Sequence, residues 1–347
     1  MAGETMRAWR VVRYGSPGEA LQLDEVAVPE PGPGEVRVRT RATALNFNEV
    51  DGCHGRYITV DPPLPYTLGM EVLGDVEAAG PGAEAWLGRR VMATATGAHG
   101  AHAERVVAPM EMVFEAPASL TDVEAAAFFF PFHLAWLGLH TRGGLQAGET
   151  VLVHAAAGGV GSAAVQLAVA AGARVIATAG GPDKLDVCRS LGADVAIDYR
   201  AGDFVDAVRA ATDGRGVDLV FDGVGGTVTE QSLRCLSWGG RHMVIGFAGG
   251  IEAEDAPAVT PRLLCFGSIS LMGVMLSYQP DGEASPMPGL NRTDRSVGEA
   301  VQRSLIELLE AGRIHTVVGR QVRFEDLPAA LEDMEHRRTT GRTIVVL

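Results

Sequence analysis

The chain is short of thiols, of basic charge and of any long apolar run. Its 347 residues include only four cysteines, Cys53, Cys188, Cys235 and Cys265, with no C-x-x-C pair among them. That scatter excludes a disulfide framework and a cysteine-rich zinc lobe, and it suits a reducing compartment; a cytoplasmic protein is expected. Lysine and arginine together number 29 against 43 aspartates and glutamates, a net charge of -14. Nucleic-acid binding needs clustered cations, so a phosphate backbone is excluded as a partner. The longest apolar stretch, residues 125–139, is interrupted by Pro131 and His133 and is too short to cross a bilayer. Residues 1–10 hold no apolar core of a secretory signal, so no membrane partner is expected.

Apolar residues make up 47% and charged residues 21%, the balance of a soluble globular protein, and the length suffices for two domains. Before residue 125 the pattern is β-rich, with alternating segments such as 36–39 and 104–107 set between Pro/Gly turns such as 29–34. From about 150 to 276 it changes to strand, helix, strand. Strands are expected at 151–154, 174–178, 195–198, 218–222, 243–246 and 269–276. Such alternation implies an α/β protein with a doubly wound parallel sheet of right-handed crossovers. Residues 278–296 are polar and rich in proline and glycine and read as a long loop; a helix is expected over 297–312 and a closing strand over 342–347. The α/β domain, 128–276, is therefore expected to be inserted between two parts of a β-rich domain, 1–127 and 277–347, with the site in the cleft between them.

The most informative stretch is residues 151–162, where an apolar strand meets a turn of small residues, Ala155 to Gly161, and an alanine-rich helix opens directly after it. A turn of this kind lets a dinucleotide pyrophosphate approach the backbone and rest on a helix N-terminus, with Gly158, Gly159, Val160 and Gly161 as its cradle. The next strand ends at Ala179-Gly180-Gly181 with no acid to accept a ribose 2′-hydroxyl, and Lys184 follows four residues after Gly180. A 2′-phosphate finds room and a cation there, so NADPH is the expected coenzyme.

Several segments together resemble the medium-chain dehydrogenase/reductases, specifically the zinc-independent quinone oxidoreductases related to zeta-crystallin. They are 44–49 (Ala-Leu-Asn-Phe-Asn-Glu), 68–74 (Leu-Gly-Met-Glu-Val-Leu-Gly), the glycine turn, 191–194 with 199–200, and 221–226 (Phe-Asp-Gly-Val-Gly-Gly). The resemblance implies a GroES-like β-rich catalytic domain joined to a Rossmann-type domain, and a homodimer paired through a sheet edge such as 269–276. It also implies coenzyme contacts at Lys184, Tyr199 and Arg200 around the adenosine phosphate and at Arg342 in the C-terminal segment; Val224 and Phe247 fall at strand C-termini, where an open α/β sheet has its ligand crevice. Arg200 reads equally as a surface charge, a surface arginine is the alternative at Arg342, and Val224 and Phe247 read equally as core packing. Asn46 and Tyr57 match positions lining the nicotinamide and substrate pocket: Asn46 as an orienting amide or a turn former, Tyr57 as a proton donor or a packing ring. His133 lies near a family threonine that is Leu134 here, and an interior histidine is the alternative.

Zinc members of the superfamily carry metal ligands near Asn46, Met70 and Phe130, and none of these three residues is a normal zinc ligand. No metal is expected. Cys53-His54 with Glu71, and His99 with His102 and Glu104, read as chance groupings. Without a Lewis acid the hydride acceptor must already be electrophilic, as a quinone or an enone is. Two rival readings stay open: reduction of an enoyl or acryloyl thioester, and an NADPH-binding crystallin or redox sensor with little turnover.

Overall fold

The computed structural model describes residues 3–56, 62–251, 259, 261–284 and 289–347. The chain divides into two compact units, one of Met1–Phe129, Ser277–Val297 and Thr316–Leu347, the other of Phe130–Leu276 and Gly298–His315.

The first unit is built on strands of period-two patterning. In Glu35–Ala44, Val36, Val38 and Thr40 turn inward while Arg39 and Arg41 are exposed. This strand lies in a seven-stranded sheet between Glu71–Ala79 and the chain's last strand, Arg342–Val346, which in turn pairs with Val318–Arg323. Arg90–Thr94 and Val113–Glu115 extend the sheet beyond Glu71–Ala79, and Arg105–Pro109 pairs with Glu35–Ala44. A second sheet places Thr5–Val11 between Leu21–Ala27 and Tyr66–Thr67. Around it Trp9, Leu45, Phe324 and Leu331 form one core, and the Trp9 indole donates to the Phe324 carbonyl at 2.8 Å.

The second unit is a six-stranded parallel sheet, strands Val195–Asp198, Arg174–Ala179, Thr150–Val153, Val217–Asp222, Leu236–Val244 and Ser270–Gly273 in spatial order. Val151, Leu152, Val153, Val175, Ile176 and Ala177 are all wholly buried, as strands covered on both faces require. The chain runs outward from Thr150–Val153 in both directions. The strand order therefore reverses there, and the crevice at the carboxyl ends beside it is where such sheets bind ligands.

The structure departs from expectation in three places. The strand expected at 243–246 starts at Leu236, because Gly239, with φ +74, and Gly240 interrupt its apolar pattern. Only Ser270–Gly273 of 269–276 pairs. The expected loop 278–296 contains a short parallel pair, Tyr278–Gln279 with Thr293–Asp294, while 285–288 lie outside the described residues. Arg295 anchors that segment: its guanidinium lies 3.8 Å from the centroid of the Phe114 ring and donates to the Glu111 carbonyl at 2.7 Å. Among the described residues no helix is long and apolar enough to cross a membrane.

Candidate functional site

The strand Thr150–Val153 delivers the chain into the small-residue turn, and Ala155 adopts a left-handed conformation, φ +50, at its start. The Ala155 carbonyl then accepts from Gly158 N–H at 2.9 Å, closing the turn. Gly158 caps the helix Gly159–Ala170 without a side-chain hydrogen bond, so no capping side chain occupies the amides of its first turn. A Cβ on Gly161 would lie 2.2 Å from the Ala155 carbonyl oxygen, whereas one on Gly158 would lie 3.2 Å from it. Glycine at 161 is thus what allows helix and turn to approach this closely. The result is the backbone cradle that a pyrophosphate requires.

The neighbouring strand, Arg174–Ala179, ends at a second open turn. Gly181, with φ +92, caps the helix Pro182–Ser190. Above Gly180 the tips of two side chains converge, since a Cβ there would meet Arg200 Nε and the Tyr199 hydroxyl, each at 2.7 Å. Asp198 ties the two strand ends together, accepting from Gly181 N–H at 3.2 Å and from Arg200 N–H at 2.9 Å. Lys184 is half-buried in the first turn of the helix. It is also the only lysine in the chain, every other Lys/Arg position being arginine. That singularity is a sequence signal that composition totals conceal.

On the other side of the crevice, Asp222 ends the strand Val217–Asp222 with no exposed surface. One carboxylate oxygen accepts from Val224 N–H at 2.8 Å and Gly225 N–H at 3.2 Å; the other accepts from the Thr229 hydroxyl at 2.5 Å and His242 Nε2 at 3.1 Å. Burial opposes its ionisation, but the hydrogen bonds it accepts, that from His242 foremost and that from Thr229 as well, hold it well below the usual carboxylate range. Val224 and Phe247 share this rim: Val224 O accepts from Gly249 N–H at 2.8 Å, and Gly223 O from Ala248 N–H at 3.0 Å. His154, just before the glycine turn, is pinned between Thr178 and Ser232, each at 2.8 Å, and burial pushes it down to about 4. Single-residue scanning missed the roles of Asp222, Thr229, His154 and His242; only the segment 221–226 pointed there.

In the first unit, Asn46 donates through Nδ2 to Glu71 at 2.8 Å and to the Ala44 carbonyl at 3.3 Å, and its Oδ1 accepts from Arg342 at 2.9 Å. Arg342, 6% exposed, also forms a short ion pair with Glu71, and burial pushes the Glu71 carboxyl up. Beside this lies a second buried set: Glu49 pairs with His102 Nε2 at 3.0 Å, and His102 Nδ1 meets Thr43 at 2.9 Å. These side chains find their partners in one another. The positions at which zinc relatives hold their ion offer an amide, a thioether and a phenyl ring, and among the described residues no three His, Cys, Asp or Glu side chains are placed to hold a metal. The donor set does not fit zinc.

Of the remaining expected residues, His133 is wholly buried in the second unit, its Nε2 2.8 Å from Gln302. Tyr57 lies outside the described residues. Cys53 is buried, and His54 pairs with Glu335 at 2.7 Å.

Two family models match the chain. One, described as an alcohol dehydrogenase GroES-like domain, covers residues 32–118, and the other, described as a zinc-binding dehydrogenase, covers 159–287. The human quinone oxidoreductase is 32% identical over 345 residues, 99% of this chain and 98% of that protein. The Escherichia coli quinone oxidoreductase, solved in complex with NADPH, superposes with a TM-score of 0.85 at 28% identity, covering 98% of this chain and all of that one. A Mycobacterium tuberculosis protein described as a mycocerosic acid synthase-like polyketide synthase shares 39% identity over 235 residues, 67% of this chain and 11% of that protein.

Proposed function

The chain belongs to the zinc-independent quinone oxidoreductase family of medium-chain dehydrogenase/reductases, and from that membership we propose that it binds NADPH and reduces a quinone or an alkene conjugated to a carbonyl. The glycine turn holds the pyrophosphate on the amides of the helix Gly159–Ala170, and Gly161 is indispensable to its shape. The single observation that carries the coenzyme choice is the corner at Gly180. No acid ends its strand, Tyr199 and Arg200 close over it, and the chain's sole lysine starts the helix beside it.

When bound, the reduced coenzyme supplies a hydride, and the acceptor completes its reduction with a proton from water. Val224 and Phe247 border the coenzyme at the rim of the sheet. Both amide hydrogens of Asn46 are already bonded, so Asn46 acts by fixing Glu71 and Arg342 rather than by donating a proton. Since the donor set does not fit a Lewis-acid metal, the acceptor must be electrophilic before it arrives. An unsaturated thioester is a second acceptor reading, favoured by the identity shared with the polyketide synthase.

We further infer a homodimer. Among the described residues the edge strand Ser270–Gly273 has a partner on one side only, and Trp238 and Phe266 nearby are each 86% exposed. Open apolar edges of this kind are normally covered, and a two-fold axis covers one with its own copy.

The test of the coenzyme site uses Lys184→Ala and Arg200→Ala. Each removes a charge-assisted contact and is expected to weaken NADPH binding about tenfold while leaving NADH unchanged. Because Lys184 is the only lysine, its acylation by an amine-directed reagent is expected to be slowed by NADPH and not by NADH. Equal effects on both coenzymes would refute the assignment.

A further inference from the structure

The rim of the parallel sheet contains a buried carboxylate whose partners are all hydrogen-bond donors of the sheet's own rim. Asp222 is wholly buried, yet no arginine or lysine pairs with it among the described residues; its four partners are two backbone amides, the Thr229 hydroxyl and His242 Nε2. The second ring nitrogen of His242, Nδ1, is buried with no hydrogen-bond partner among the described residues. Nε2 bonds to the carboxylate without the permanent charge that an arginine or lysine would bring. The other neighbouring imidazole, His154, is engaged on both nitrogens by hydroxyls rather than by Asp222. Among the described residues the carboxylate is therefore stabilised by hydrogen bonds and is not paired with an arginine or lysine. It is placed under the turn formed by Gly223, Val224, Gly225 and Gly226, whose amides at 224 and 225 it holds directly. Gly223 has open space where a Cβ would project.

We propose that Asp222 is a positioning residue with an added electrostatic role: it fixes the 223–226 turn against the coenzyme, and its buried charge favours the oxidised over the reduced nicotinamide. The inference rests on the coenzyme reading above. Giving up a hydride turns the neutral dihydronicotinamide ring into one carrying a positive charge, while both forms keep the same phosphates and riboses. A fixed anion in a poorly polarisable interior lowers the free energy of the charged ring selectively, and it does so without reorganisation. Hydride donation becomes easier as a result. The ratio of the dissociation constants of NADP⁺ and NADPH isolates this effect, because contributions from the shared phosphates cancel.

The experiment measures both constants by fluorescence or calorimetric titration for the wild type and for Asp222→Asn. The NADP⁺ constant is expected to rise relative to that of NADPH by on the order of tenfold. That fold-change moves the potential of the bound couple about 30 mV in the positive direction. Thr229→Val removes one hydrogen bond but keeps the charge, so both constants are expected to change together with the ratio preserved. Thr227→Lys places a cation on an exposed position of the same rim, and it is expected to shift the ratio in the direction of Asp222→Asn even if that variant does not fold. An unchanged ratio in folded Asp222→Asn, or in Thr227→Lys where Asp222→Asn does not fold, overturns the proposal. A ratio that moves equally in Thr229→Val overturns it too, because a loosened turn would then explain everything. If the wild type binds neither coenzyme, the coenzyme reading itself falls and this inference falls with it; if it binds both and no ratio moves, only this inference is lost.

Discussion

Replacing Gly161 by alanine adds one methyl group at the tightest point of the coenzyme turn. The new Cβ would stand 2.2 Å from the Ala155 carbonyl oxygen and 2.8 Å from both the Ala155 carbonyl carbon and the Ala156 Cα. These are backbone atoms, and they cannot swing aside as a flexible side chain would. Ala155 is already left-handed, and its carbonyl is engaged by Gly158 N–H, so relief must come from shifting the helix Gly159–Ala170 away from the turn. Overpacking of this severity costs about 3 kcal/mol. If the strain is expressed as displacement of the amides that hold the pyrophosphate, NADPH affinity falls by about two decades. Gly158→Ala is the internal control. Its Cβ would be 3.2 Å from the same oxygen, at an ordinary negative φ of -83, so a loss of less than about tenfold is expected. Titration with NADPH and thermal unfolding of both variants read the two effects separately. A Gly161→Ala protein that binds NADPH and unfolds as the wild type does, or a Gly158→Ala protein equally impaired, would refute the reasoning.

Three further expectations follow from the buried polar groups and the exposed edge. Burial pushes His154 down to about 4 from an unfolded value near 6.5, so the unfolded chain binds the extra proton first on acidification. The contribution of His154 is complete above about pH 6.5 and is lost as the pH falls toward about 4, with a slope of up to about 1.4 kcal/mol per pH unit; His154→Gln should flatten that part of a urea-unfolding series. Glu71→Ala leaves Arg342 buried without its counter-charge and is expected to cost about 3–5 kcal/mol, whereas Glu71→Leu combined with Arg342→Leu should recover most of it; equal losses in denaturant melts would contradict an ion pair that matters. Trp238→Lys with Phe266→Lys is expected to yield monomers in sedimentation, and an unchanged sedimentation rate would remove that face from the dimer interface.

How much could be read from sequence depended on whether the relevant groups are neighbours along the chain. The parallel sheet was legible because each buried strand carries its own apolar run, as in Val151-Leu152-Val153, and because the glycine turn follows its strand directly. Gly180 and Arg200 are twenty residues apart, but they end adjacent strands and therefore meet; strand order alone brings them together. Charge pairing over long separations left no local pattern. Glu71 and Arg342 stand 271 positions apart and meet only because the last strand is threaded beside Glu35–Ala44. Asp222 lay within a recognisable segment, yet nothing in that segment states that its carboxylate bonds to the turn's own amides and to His242, twenty residues downstream. The strand Leu236–Val244 was half hidden because Gly239 and Gly240 break its pattern, and its pairing with Val217–Asp222 shifts register there, from Leu236 opposite Val217 to Arg241 opposite Leu219.

The most direct test of the central claim follows coenzyme oxidation by the purified protein with a quinone, an enone, an unsaturated thioester and a simple saturated ketone, using NADPH and NADH in parallel and adding a metal chelator. The account predicts NADPH-dependent reduction of at least one of the activated acceptors, little turnover with NADH, none with the saturated ketone, and no effect of the chelator. Turnover of the saturated ketone that the chelator abolishes, or failure to oxidise NADPH with any acceptor despite binding it, would contradict the account.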